Sequence, residues 1–149
     1  MFPNAKGSEM LSLLATIDPA SQAAGTVTTG WVQAGSHHTL MALIQTGGLG
    51  VNGTVDAKFE QAVDASGTSA KDVAGKAITQ LTQVGGGSNK QALINLRPVD
   101  LDAANGFAYV RLSLTVGVAA SLASAQLMGL NPRYASADAS NQAAVTQIV

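Results

Sequence analysis

The chain has 149 residues, no cysteine and a net charge of −1, and it is 46% hydrophobic but only 11% charged and 4% aromatic. That length suits one domain with a two-layer core. The missing cysteine excludes disulfide frameworks and thiolate sites, and the scattered Lys and Arg argue against a groove that neutralises nucleic-acid phosphates.

Charged residues ordinarily make up about a quarter of a domain, so this surface is poorly charged. Two readings follow. One is an Ala-rich sandwich with a Ser/Thr/Gln surface. The other is a subunit whose surface is covered in an assembly, since charge depletion marks interface cores. No run approaches the roughly 18 to 20 apolar residues of a membrane helix, so no membrane partner is expected. Met10 to Ile17 is short and bracketed by Glu9 and Asp18, unlike the core of a secretory leader. Synthesis in a cytoplasm with nothing removed is the expectation.

Residues 1–8 lack periodicity and read as an N-terminal arm, with Phe2 beside Pro3 as an apolar tip that frays or tucks into a neighbour. Met10 to Ile17 is apolar at nearly every position and suits a buried strand or a short helix; periodicity alone does not separate them. Asp18-Pro19 is expected to stop it. Thr26 to Gln33 reads as a strand with Trp31 on the face of Val27 and Thr29, a core or interface position. His38 to Thr46 is apolar on both faces and reads as a central strand.

Gly48, Gly50 and Gly53 spell a formal G-x-G-x-x-G. That fingerprint binds a pyrophosphate only where a helix follows. A strand pattern follows instead, so the glycines are assigned to a hairpin loop. Gly53 to Val63 is the clearest alternating stretch: Val55, Ala57, Phe59 and Val63 are set against Asp56, Lys58 and Glu60, the pattern of a strand with one face on a core and one in water.

Asp64 to Asp72 holds turn residues, and Ala77 to Val84 resumes alternation. Gly85 to Asn89 reads as a flexible hairpin tip, and the Ala-Leu-Ile-Asn-Leu that follows reads as a strand. Pro98 to Gly106 is a bend closed by Asn-Gly. Phe107 to Val118 is a strand, with Phe107, Tyr109, Arg111, Ser113 and Thr115 on one face and Val110, Leu112, Leu114 and Val116 on the other. Ser121 to Leu130 is the last strand. Ala135 to Val149 closes on Val145, Ile148 and Val149, which suits an arm lying on a partner, with a disordered tail as the alternative reading of its Ala/Ser/Gln composition.

About eight short strands at regular spacing predict an all-β, antiparallel, jelly-roll-like sandwich over residues 9–134, flanked by arms at 1–8 and 135–149.

The search for chemistry yields no catalytic, cofactor-binding or metal-binding residue. His37 and His38 are adjacent, so on a strand they face opposite ways and chelate poorly together; they read as a turn-edge pair. Asp56 and Glu60 share a face with Lys58 between them and read as solvated. Asp100 and Asp102 lack the ligand count of a calcium loop. No serine sits in a G-x-S-x-G elbow. Arg97, Arg111 and Arg133 are separated and are expected to pair with carboxylates or carbonyls across subunits. An enzyme is not expected, and no cofactor is.

Four stretches carry a resemblance. They are Gly53-Thr-Val-Asp-Ala-Lys-Phe-Glu-Gln-Ala-Val-Asp-Ala-Ser-Gly-Thr, Lys71-Asp-Val-Ala-Gly-Lys-Ala-Ile-Thr-Gln-Leu, Phe107-Ala-Tyr-Val-Arg-Leu-Ser-Leu-Thr-Val and Leu127-Met-Gly-Leu-Asn-Pro-Arg-Tyr. Over roughly residues 24 to 135 the chain resembles small β-sandwich structural proteins of tailed-bacteriophage virions. The resemblance implies a non-enzymatic capsid decoration (cement) protein on the outside of the head. Its implied partners are the major capsid protein and copies of itself in a homotrimer. A head–tail connector (neck) or tail-associated protein is the structural alternative. A virion-displayed carbohydrate- or host-surface-binding module is the alternative of a different class. The expected partner contacts are Phe2, Trp31, Arg111, Arg133, Tyr134, Val145, Ile148 and Val149.

Overall fold

The computed structural model describes residues 4–149, so the expectation for Phe2 lies outside the described residues. Ten strands build two antiparallel sheets: β1 (Leu11–Gln22), β2 (Gly25–Thr28), β3 (Val32–Gln33), β4 (His37–Thr46), β5 (Thr54–Ala62), β6 (Lys71–Ala77), β7 (Leu81–Thr82), β8 (Gln91–Leu96), β9 (Tyr109–Gly117) and β10 (Ser121–Pro132). One sheet has the order β1-β10-β4-β8. The other has the order β2-β9-β5-β6, with β3 also pairing β9 and β7 also pairing β5. Setting aside the two-residue strands β3 and β7, the remaining eight in chain order give sheets 1-8-3-6 and 2-7-4-5. That is the jelly-roll arrangement, in which consecutive strands mostly alternate between the two layers.

Alternation explains the core. Val55, Ala57 and Phe59 of β5 face Leu112, Leu114 and Val116 of β9 in register, and all six are buried. Leu40, Ala42 and Ile44 of β4 and Ala123, Ala125 and Leu127 of β10 close the core from the opposite layer. Small alanines lie opposite larger residues, for example Ala57 beside Leu114 and Ala42 beside Leu127. An alanine-rich chain can thereby still fill a sandwich whose sheets lie about 10 Å apart. As expected, β4 is central, flanked by β10 and β8.

Several expectations are corrected. Asp18-Pro19 does not end β1; the strand passes through with register shifts at Leu13/Ala15 and Ile17/Ala20, because an edge strand tolerates proline at a bulge. Residues Gly7–Met10 form a single helical turn that straddles the boundary between the expected arm and the expected sandwich. The span Thr26 to Gln33 is broken into β2 and β3, with Trp31 between them.

The turn at Asp64 is shorter than expected. Asp64 Oδ1 accepts the Ser66 and Thr68 N–H groups and Oδ2 the Thr68 hydroxyl, so β6 starts at Lys71, inside the expected turn. Of the expected strand Ala77 to Val84, only Ala77 (the end of β6) and Leu81–Thr82 are in strands. Val63 is exposed; the inward position near the end of β5 is taken by buried Gln61, whose Oε1 accepts the Asp102 N–H at 2.9 Å. The loops at Gly47–Gly53 and Gly85–Asn89 are not hairpins. Each carries the chain from one sheet to the other.

Candidate interaction surfaces

The two outer faces differ in charge. In the six-stranded sheet, Asp56, Lys58, Glu60, Lys71, Asp72, Lys76 and Arg111 all lie on strands, and most are tied to one another. Lys58 Nζ lies 2.6 Å from Asp72 and 3.5 Å from Glu60, and its pKa is held above the usual lysine value chiefly by the hydrogen bond to Asp72. Arg111 Nε donates to Glu60 at 2.7 Å, and its guanidinium carbon stacks 4.6 Å from the Trp31 ring centroid. Gly67 packs on the other side of this cluster: a Cβ there would lie 2.6 Å from Trp31 Nε1, so only glycine allows the approach.

The expected solvated carboxylate face is therefore a knitted ion network, with the Glu60 side chain only 15% exposed. The loop carboxylates are engaged as well. Asp100 accepts the Arg97 N–H and contacts Lys76 at 2.9 Å, and Asp102 contacts Lys71 at 2.6 Å.

In the four-stranded sheet, the single Asp, Glu, Lys or Arg on any strand is Asp18, at the β1 bulge. On its outer side Leu13, buried Met128, Met41 and Asn95 form one register row and Thr16, Gln126, Leu43 and Leu93 the next. Leu93 is 57% exposed.

One pole of the sandwich continues this neutral surface. The loops 47–53, 83–90 and 118–120 converge there, and Lys90 is their single charged residue. They bind one another closely. Gly50 N donates to Ser121 Oγ, Leu49 N to Ser88 Oγ, Asn89 N to Gly47 O and Gln83 N to Gly53 O. Gly50 approaches Ala119 and Ala120 so closely that a Cβ would lie 2.5 Å from the Ala120 carbonyl oxygen. The formal G-x-G-x-x-G thus serves loop packing.

Each of the three loops exposes a valine: Val51 at 78%, Val84 at 78% and Val118 at 72%. Val118 is at φ 68°, and the hydrogen bond from Ala119 N to Gly117 O closes a three-residue turn around it, the strained positive-φ form of the γ-turn. A β-branched residue in that region is an outlier. A groove of about 340 Å³ between Pro19, Gln45, Gly47, Gln91, Leu122 and Ser124 joins this pole to the neutral sheet face.

The histidines separate. His38 is exposed and lines a 420 Å³ groove with Glu9, Asn131 and Pro132. His37 lies at a turn edge, as the first residue of β4 after the turn Ala34–Ser36, but is fully buried there, and the sequence carries no sign of its partner Ser12, 25 positions away. Ser12 Oγ donates its one proton to the Ala137 carbonyl at 2.6 Å, so His37 Nε2, 2.9 Å away, donates to Ser12. Ser36 Oγ sits 3.1 Å from Nδ1 on the other side. Burial lowers the His37 pKa. This serine–histidine pair is sealed and its hydroxyl is spent on a carbonyl, so it works as a latch on the C-terminal segment.

That segment lies on its own chain. Leu13 N donates to Asn141 Oδ1, Gln142 N donates to Leu13 O, and Ala137 is fully buried. Together they cover the free edge of β1, which an uncovered strand would offer to other chains.

Of the expected contact residues, Trp31 and Arg111 are stacked together, and Arg133 Nε donates to the His37 carbonyl at 3.3 Å. Within the chain the arginines pair as follows: Arg97 with Asp100, Arg111 with Glu60 and Arg133 with that carbonyl. Val145 is half-buried against the segment's own turn, while Tyr134, Ile148 and Val149 are exposed. Sequence reasoning missed Val51, Val84 and Val118. Their only signal is an isolated valine inside each glycine- or alanine-rich loop.

No protein-family model and no curated protein matches the sequence. Solved structures similar to the chain include a Bacillus endospore appendage pilus protein, at 11% identity and TM-score 0.44, covering 86% of this chain and 96% of that one. Another is the empty virus-like particle of Cowpea Mosaic Virus, at 15% identity and TM-score 0.40, covering 87% and 84%. A third is a xylan-binding domain of carbohydrate-binding module 22, at 11% identity and TM-score 0.39, covering 87% and 90%. At these values the likeness is one of general shape.

Proposed function

We propose that the chain is a non-enzymatic structural protein of a tailed-bacteriophage virion, a capsid decoration protein that binds the outside of the head and braces neighbouring major capsid subunits. The observation that carries this reading is the charge partition. Ionic groups are collected and paired on one sheet, while the opposite sheet and one pole are nearly free of them. A bare neutral surface can be apposed closely without burying an unpaired ion, which would cost several kcal/mol per group. A jelly roll with its β1 edge covered by its own C-terminal segment supplies the rigid module such bracing needs. The neutral sheet face is the surface we assign to contact between copies in a homotrimer. The sequence resemblance over residues 24 to 135 points the same way.

The test is an icosahedral cryo-EM reconstruction of intact virions. Density repeating outside the major capsid layer supports decoration. Density confined to one vertex moves the chain to the head–tail connector. A chain that stays monomeric at all concentrations and on the shell removes the trimer.

A further inference from the structure

We propose that the neutral pole is the docking surface by which the chain holds an uncharged protein patch of the shell, with Val51, Val84 and Val118 making the contact. The proposal rests on the reading of the chain as a shell-binding subunit and adds the surface and the chemistry of its partner.

Four observations carry it. The three valines are 72% to 78% exposed at one pole, with no wall of this molecule to cover them. The loops that hold them are fastened to each other by side-chain and backbone hydrogen bonds, so they meet a partner preformed, with little ordering cost. Val118 is held at φ 68°, where asparagine or glycine would sit without strain; among the described residues the other non-glycine residues with positive φ are Asn52, Ser69, Asn89 and Asn131. Retention of an exposed, strained valine is accounted for by a contact that its methyl groups make.

Charge selects the occupant. One cation, Lys90, is too few for phosphates or an anionic bilayer, which reward clusters of Lys and Arg. Loops 47–53, 83–90 and 118–120 carry no aromatic side chain to stack on a sugar. Size argues against a second copy. Four strands about 4.8 Å apart in two layers about 10 Å apart give an end face of roughly 400 Å², or about 800 Å² with its partner. A stable pair buries about 1,200 Å² or more. One such contact is weak, and a repeating lattice that engages many linked copies makes it effective.

The experiment is co-sedimentation with shells of the parent virus purified without this chain, using wild type, the V51D/V84D double variant, V118D, and A104D at the opposite pole. Thermal unfolding verifies each variant, with V51S/V84S in reserve should the aspartates unfold the chain. The expected result is wild-type binding unchanged between about 50 and 500 mM NaCl. Binding should fall at least roughly tenfold in both pole variants and stay at wild-type level in A104D.

Pole variants that bind shells as wild type does overturn the surface while leaving the function standing. Wild type that fails to bind shells overturns the function and the docking proposal with it. Self-association in sedimentation velocity, or binding to phosphatidylcholine vesicles, that the pole variants abolish overturns the occupant.

Discussion

Replacing Val118 with asparagine separates strain from contact. A left-handed backbone conformation costs an ordinary L-residue about 1–2 kcal/mol, and asparagine occupies that region far more readily because its short polar side chain bonds locally. Val118 is 72% exposed, so removing its methyl groups forfeits only about a quarter of a buried valine's worth, roughly 0.4 kcal/mol. The balance is a gain of about 0.5–1 kcal/mol. For a chain of this size that raises Tm by roughly 1–4 °C. Urea unfolding followed by circular dichroism and by the single tryptophan, Trp31, measures it, and an unchanged m-value shows that the unfolded state is not the cause. Glycine should gain less, because it loosens the unfolded chain. A fall in stability on V118N at constant m would falsify the strain argument. If shell docking uses this valine, the stabilised variant binds more weakly, a trade of stability against function.

Other perturbations test the internal devices. Ser12→Ala leaves the buried Ala137 carbonyl and His37 Nε2 without partners and should cost about 1–3 kcal/mol by chemical denaturation; faster proteolysis near residues 133–142 would mark release of the latch. Because burial lowers the His37 pKa, the unfolded chain binds more protons than the folded one below the ordinary histidine value of 6.5. Stability is therefore full above about pH 6.5 and declines as the pH falls towards the folded pKa, a slope that His37→Gln should flatten. Asp100 is held down to about 2, first by the Arg97 backbone N–H and then by Lys76; its contribution is present above the unfolded value of 3.8 and lost as pH falls through about 2. After allowance for screening it amounts to at most about 2 kcal/mol, and Asp100→Asn should remove it from the acid limb of a stability–pH curve. Gly67→Ala forces Cβ into Trp31 at a φ of +84° and should cost more than about 1 kcal/mol while shifting the tryptophan emission.

The legible parts of the fold were those governed by period. Phe107 to Val118 and Gly53 to Val63 alternate because one side meets a core, and their inward sets matched except at Val63. What escaped was set by partners distant in sequence. β6 lies in a stretch rich in turn residues because β5 supplies its ladder, and Ala77 to Val84 alternates with little strand to show for it because its inward residues, Ile78 and Leu81, pack against the core from what is mostly loop. The buried Ser12–His37–Ala137 latch joins residues 25 and 125 positions apart, and neither spacing leaves a trace. A terminal segment rich in Ala, Ser and Gln reads from its composition as an arm on a partner or a disordered tail. Three hydrogen bonds to β1, through Leu13 and Thr16, lay its residues up to Gln142 along the edge of their own sheet.

The strand order then gives the module a direction. Connections β1–β2, β4–β5, β7–β8 and β9–β10 gather at the neutral pole, whereas those between β5 and β6 and between β8 and β9 lie at the other. There the chain places Asp64, Arg97, Asp100 and Asp102, each held by hydrogen bonds or ion pairs of its own. Arg133 and Tyr134 also emerge there, since β10 begins at the neutral pole and ends beside the start of β4. A molecule that seats its neutral pole on a shell turns this ionic pole, and exposed Tyr134, towards solvent. That orientation follows from desolvation. The neutral pole gives up little hydration on contact, while the ionic pole would have to surrender the water around several charges for pairs already made within the chain.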